Sequence, residues 1–141
     1  DGERLYTIAR SGKIVALDAA TGHVLWTDEV NSLGYSTPAV GRDRIFVGDF
    51  NGGLRAYRKT DGRLLWRTDV GGRILGGAVV IGDLVFFSTL ETETYAARAS
   101  DGKVVWRFPI GKYSPGIATE RAYYFTLNGI LVALRGQYSP R

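Results

Sequence analysis

Apolar and polar residues alternate along this chain in short runs of four to eight residues, each bounded by Gly, Asn, Asp or Pro. A period of two, with Val, Ile, Leu and aromatic residues frequent, predicts β-strands. No stretch of ten residues carries the 3.6-residue period of an amphipathic helix, which argues against helical solenoids. The longest apolar stretch, Ala78 to Leu90, is broken by Gly82 and Asp83, so no membrane-spanning helix is expected.

The runs repeat. Trp26, Trp66 and Trp106 stand 40 residues apart; Gly22, Gly62 and Gly102 precede each Trp by four, Ala16, Ala56 and Ala96 by ten, and Val30, Val70 and Ile110 follow it by four. Leu5, Ile45 and Val85 open further runs in the same register, and a fourth copy starts two residues early, at Tyr123. Each unit predicts four strands: one such as Thr37 to Val40, one such as Ile45 to Gly48, one such as Gly53 to Tyr57, and one such as Arg63 to Val70. The third and fourth meet at Ala19-Ala20-Thr21-Gly22, Lys59-Thr60-Asp61-Gly62 and Ala99-Ser100-Asp101-Gly102. These read as hairpin turns in which the Gly accepts positive φ. The fourth strand carries Thr27-Asp28-Glu29, Arg67-Thr68-Asp69 or Arg107 with Pro109, residues that discourage edge-to-edge pairing and so place it outermost.

A four-stranded unit of this period, repeated radially with a charged outer edge, is a β-propeller blade. WD repeats are the nearer competitor, but Thr27, Arg67 and Arg107 stand where Asp would follow Trp. The expected fold is all-β, with about 3.5 repeats of 40 residues in one partial propeller domain over 1–141. The blades are expected near 1–30, 37–70, 77–110 and 116–135, the first without an innermost strand and the last without an outermost one, 14 strands in all. Absence of Met and Asp at position 1 lead us to expect a piece of a longer polypeptide.

Ala16-Leu17-Asp18-Ala19-Ala20-Thr21-Gly22-His23-Val24-Leu25-Trp26 resembles the tryptophan-docking motif of pyrroloquinoline-quinone-type (PQQ-type) propeller repeats, Ala-x-Asp-x-x-Thr-Gly-x-x-x-Trp. The second copy has Arg58 and Asp61 in place of the Asp and Thr, the third has Arg98 and Asp101, and a fourth begins at Ala133-Leu134-Arg135 and stops. The resemblance implies that Trp26, Trp66 and Trp106 pack between adjacent blades against the turn of a neighbouring motif. Ala16, Ala56, Ala96, Gly22, Gly62 and Gly102 would leave room for the rings. It also implies an extracytoplasmic location, periplasmic or at the cell surface. Quinoprotein dehydrogenases, outer-membrane assembly scaffolds and sensor domains share these repeats, so the fold does not choose an activity.

Composition narrows the chemistry. A net charge of +4 comes from 18 basic residues scattered singly among 14 carboxylates, without the clustering that nucleic-acid binding requires. With no Cys there is neither a disulfide nor a thiolate metal site. His23 is the one histidine and follows a turn Gly, so neither a triad nor a zinc site can be assembled around it. Asp49, Asn51, Glu91 and Glu93 are candidate hard-metal ligands, but they come from two repeats, and Ca²⁺ requires six to eight converging oxygens. Gly71-Gly72 and Gly76-Gly77 precede no helix and are not a phosphate loop.

In propellers the loops joining strand four to one and strand two to three form a common binding face. Here that face would offer Tyr35, Arg73, Lys112 and Tyr113, with Asp49, Asn51, Glu91 and Asn128 nearby, a mixture of aromatics and Arg suited to protein contacts. The leading expectation is a non-catalytic module presenting these loops to a protein or surface ligand, with no cofactor and no catalytic residue. One alternative is a fragment of a PQQ-dependent oxidoreductase, which would hold PQQ with calcium; another is a structural subunit of a larger assembly. The remainder of the polypeptide, or another chain, is expected to complete the ring.

Overall fold

The computed structural model describes residues 2–91, 93–109, 116–119, 122–127 and 130–135, and among them it has fourteen β-strands and no helix. In chain order they are β1 (Arg4–Ile8), β2 (Lys13–Asp18), β3 (Val24–Glu29), β4 (Ala39–Val40), β5 (Arg44–Gly48), β6 (Gly53–Arg58), β7 (Leu64–Asp69), β8 (Val79–Ile81), β9 (Leu84–Ser88), β10 (Thr94–Arg98), β11 (Val104–Phe108), β12 (Ile117–Ala118), β13 (Ala122–Leu127) and β14 (Ile130–Arg135). Sequence neighbours pair antiparallel into four sheets, β1-β2-β3, β4-β5-β6-β7, β8-β9-β10-β11 and β12-β13-β14. The short first strands β4, β8 and β12 approach one another across sheets, which puts them at the axis and β3, β7 and β11 at the rim. This is a partial β-propeller.

The hairpins at the rim explain how the motif tolerates its substitutions. Asp18 accepts hydrogen bonds from the amides of Ala20 (3.1 Å) and Thr21 (2.7 Å) and from the Thr21 hydroxyl (2.7 Å). Those Thr21 bonds hold the Asp18 carboxyl below its usual range. In the next two repeats the acid moves to the other end of the turn. Asp61 accepts from the Arg63 amide (3.1 Å) and pairs with Arg58 (3.2 Å), while Asp101 accepts from Lys103 (3.1 Å) and pairs with Arg98 (2.9 Å). Either arrangement satisfies the turn amides.

Immediately after this turn each rim strand carries a bulge. Ala16 lies opposite Trp26 but Leu17 opposite Val24, leaving Leu25 as the extra residue; Leu65 and Val105 hold the same place in β7 and β11. A bulge re-aims the next side chain and steepens the twist. Here the next side chain is the Trp.

Trp26 donates its indole N–H to the Lys59 carbonyl of the following sheet (2.9 Å), and Trp66 donates to the Ala99 carbonyl (2.9 Å). The same two carbonyls accept a second bond from Arg4 and Arg44, which are also 40 residues apart. Each ring leans on an aromatic residue of its own sheet, with Tyr6–Trp26 at 6.0 Å, Phe46–Trp66 at 5.7 Å and Phe86–Trp106 at 6.2 Å. Ala16, Ala56 and Ala96 are fully buried opposite the three tryptophans.

Two apolar cores lie between sheets. The first joins Ile14, Ala16, Trp26 and Val30 to Ile45, Val47 and Tyr57; the second joins Phe46, Leu54, Ala56 and Trp66 to Val85, Phe87, Tyr95 and Ala97. Between the third and fourth sheets an aromatic cluster takes over, with Tyr123 stacked on Phe86 at 4.8 Å. The outward faces of the first and last sheets are apolar too. Leu5 is 55% exposed where Ile45 and Val85 are fully buried, and Leu131 is 68% exposed where Ile14 and Leu54 are fully buried.

The turn glycines separate backbone strain from docking. Gly22, Gly62 and Gly102 all have φ between 73° and 76°. A Cβ on Gly102 would lie 2.5 Å from the Trp66 ring, and one on Gly22 would touch nothing within 4 Å. Gly22→Ala is therefore expected to cost about 1 kcal/mol, the left-handed backbone penalty alone. Gly102→Ala adds about 1–3 kcal/mol of overpacking. Urea denaturation of both variants measures the difference; equal losses would mean the ring does not rest on the turn.

Buried phenols set an alkaline limit. Tyr57 is pushed up to about 12 by burial and then by Asp28, and Tyr95 to about 12 by burial and then by its bond to Glu93. The fold favours the neutral phenol, so this stabilisation is complete below the unfolded value of 10.0 and is lost as pH rises through about 12. Phenolate absorbance should show these two tyrosines titrating late, together with unfolding. Release at ordinary pH while the fold persists would refute the assignment.

Candidate interaction face

The loops β1–β2, β5–β6 and β9–β10 emerge on the same side as the connections between sheets, and backbone bonds tie them together. Phe50 N–H donates to the Leu33 carbonyl (3.0 Å), Leu90 N–H to the Arg73 carbonyl (2.8 Å), and Ile74 N–H to the Asp49 carbonyl (3.0 Å). The β5–β6 and β9–β10 loops are thus braced by the connections leading into their own sheets, and the β1–β2 and β5–β6 loops by those leading out, since Gly34 N–H also donates to the Arg10 carbonyl (3.2 Å). Such bracing reduces the ordering cost of binding.

Asp49, expected on this face, lies beneath it. It is fully buried, accepts from the amides of Asn51 (2.8 Å) and Gly53 (3.1 Å), and pairs with the Arg55 guanidinium from β6. At the tip of the β5–β6 turn Asn51 is exposed and Phe50 is partly buried. Glu91 pairs with Arg73 (2.5 Å) and also accepts from the Arg73 amide (2.7 Å), bonds that hold its carboxyl below the usual range. Glu93 takes Arg107 and the Tyr95 hydroxyl, and is lowered likewise. All three carboxylates of the candidate ligand set are thus matched to arginines of their own. Among the described residues no three of His, Cys, Asp and Glu converge to hold a metal ion. These carboxylates do not form a cradle for PQQ-bound calcium. His23 is exposed at the opposite, turn-bearing side.

What the face presents is a row of rings and guanidinium groups crossing three sheets. Arg10 donates to the Tyr35 hydroxyl (3.1 Å) and lies over its ring at 5.9 Å; Tyr35 meets Phe50 at 6.1 Å; Arg73 covers Phe50 at 5.4 Å and reaches Glu91. Tyr35, Arg73 and Glu91 were expected here, and the structure brings them into one line. Arg10 and Phe50 were missed, although both stand at the same repeat position, 40 residues apart in matching loops. Lys112, Tyr113 and Asn128 lie outside the described residues.

Comparison with known proteins adds a family. The family model described as outer membrane protein assembly factor BamB matches residues 1–75 and again 50–137. Outer membrane protein assembly factor BamB of Kangiella koreensis is 44% identical over 57 residues, 38% of this chain and 14% of that protein. The crystal structure of BamB from Moraxella catarrhalis superposes with a TM-score of 0.85 at 17% identity, covering 96% of this chain and 44% of that one. Quinohemoprotein alcohol dehydrogenase from Comamonas testosteroni gives 0.65 at 20% identity over 75% of this chain and 19% of that one. The two structural likenesses are ones of fold alone. In each comparison the match spans less than half of the other protein's length. Among the described residues no helix is long and apolar enough to cross a membrane.

Proposed function

We propose that this chain, which belongs to the outer membrane protein assembly factor BamB family of PQQ-like propeller repeats, is a non-catalytic extracytoplasmic module that binds other proteins of outer-membrane assembly. The observation that carries this reading is the braced row on the loop face, where Tyr35 is 45% exposed between arginines. Exposed aromatics and arginines on a preorganised surface are the residue types that anchor protein interfaces. Further blades, from the same polypeptide or another chain, would cover the apolar faces at Leu5 and Leu131.

Binding of the 141-residue chain to a purified outer-membrane protein assembly complex, followed by biolayer interferometry, tests the proposal. Saturable binding is expected. Absence of binding would overturn the choice of partner, and alcohol turnover by the chain loaded with PQQ and Ca²⁺ in a dye-linked assay would overturn the non-catalytic reading in favour of the oxidoreductase alternative.

A further inference from the structure

Charge on the loop face is not evenly matched. Arg55 has Asp49, Arg73 has Glu91 and Arg107 has Glu93. Arg10 has only the Tyr35 hydroxyl and ring, and it meets no carboxylate among the described residues. Beside it Leu33 and Tyr35 are 39% and 45% exposed, and Phe50 is partly exposed. The row therefore runs from an uncompensated cation, across an apolar strip, to an arginine already neutralised by Glu91.

Resting on the protein-binding reading above, we infer that this row is the docking site for a short segment of a partner polypeptide with an acidic residue beside a large apolar or aromatic one. The acid meets Arg10, and the apolar side chain lies on Leu33, Tyr35 and Phe50. Arg10 is held over Tyr35 with one N–H already committed, which leaves the rest of its donor fork facing outward for a carboxylate. A basic segment is rejected at the Arg10 end, and the neutral Arg73–Glu91 pair at the far end offers it no free carboxylate. Bracing of the loops by backbone bonds means that the strip is present before the partner arrives.

Fluorescence anisotropy with three labelled peptides of equal length tests this: one alternating Asp and Phe, one with Lys in place of Asp, one with Ser in place of Phe. The first is expected to bind and the others to bind at least about tenfold more weakly. Arg10→Gln and Tyr35→Ala should each weaken the first by about tenfold, Arg10→Lys should recover most of the loss, and added salt should weaken it. Both side chains are exposed, so circular dichroism of the variants should match the parent. Equal binding of the three peptides, no binding, or indifference to Arg10→Gln overturns the inference. If the assembly complex binds parent and both variants alike, the docking site is wrong and the broader proposal stands. If the acidic peptide binds in the predicted way and the complex does not, the site stands and the choice of partner falls.

Discussion

Trp66→Ala is expected to destabilise the chain by about 3 kcal/mol, the lower end of the range for removing a large aromatic from a core, because the ring is partly exposed. The ring fills the wedge between the two complete four-stranded sheets, against Phe46 at 5.7 Å on one side and the Gly102 turn on the other. Its removal opens a cavity that neighbouring strands cannot collapse into, because both sheets are held by their own ladders. The hydrogen bond is the smaller part. Trp66→Phe keeps most of the ring and leaves the Ala99 carbonyl still bonded to Arg44 (3.0 Å), so its cost should be nearer 1 kcal/mol, about the net worth of one bond. Removing both donors, as Trp66→Phe with Arg44→Met, should cost more than the sum of the two single changes, since only then does the carbonyl lose both partners. Urea denaturation followed by far-ultraviolet circular dichroism measures all three. A loss below about 1 kcal/mol for the alanine variant would mean that the ring is not the wedge between these sheets.

The recurrence of that wedge was legible because it is written in spacing. A Trp, a Gly and an Ala in fixed register repeat three times, and local chemistry alone requires a turn with positive φ where Gly22, Gly62 and Gly102 stand. The bulge at Leu25, Leu65 and Val105 is not visible in alternation, since an inserted residue looks the same as a short continuous apolar run. Arg4 and Arg44 obey the repeat but end after two copies, Leu84 standing in the third, so nothing marked them as part of the clamp. The face was harder still. Tyr35, Phe50 and Arg73 meet across different sheets at spacings unrelated to the period, and only the radial arrangement of the blades brings them into line. Asp49 opens the turn sequence Asp49-Phe50-Asn51-Gly52-Gly53, and a turn ordinarily puts its acid at the surface. Its burial depends on Arg55, six residues on, whose guanidinium reaches back under the loop.

That buried pair carries the second large effect. Arg55→Ala is expected to cost about 3–5 kcal/mol, because it leaves the Asp49 carboxylate out of water with no counter-charge. Arg55 is 7% exposed and Asp49 fully buried, so neither can recover hydration without moving the β5–β6 loop. The cost should fall mainly on the face, since Asp49 also holds the Asn51 and Gly53 amides (2.8 and 3.1 Å) and its carbonyl accepts from Ile74 (3.0 Å). If the penalty is that of an unpaired charge, removing the charge as well should relieve it. Asp49→Asn with Arg55→Met keeps an acceptor for both amides and replaces the guanidinium stem with an apolar one. The double variant should therefore regain most of the lost stability, as buried ion pairs commonly contribute little net stability over apolar isosteres. Urea denaturation of Asp49→Asn, Arg55→Met and the double variant gives the coupling. Additive losses would refute the pairing. Full coupling together with weakened binding to the assembly complex in Arg55→Ala alone would place the brace of the interaction face at this pair, since the double variant keeps the turn but not its charges.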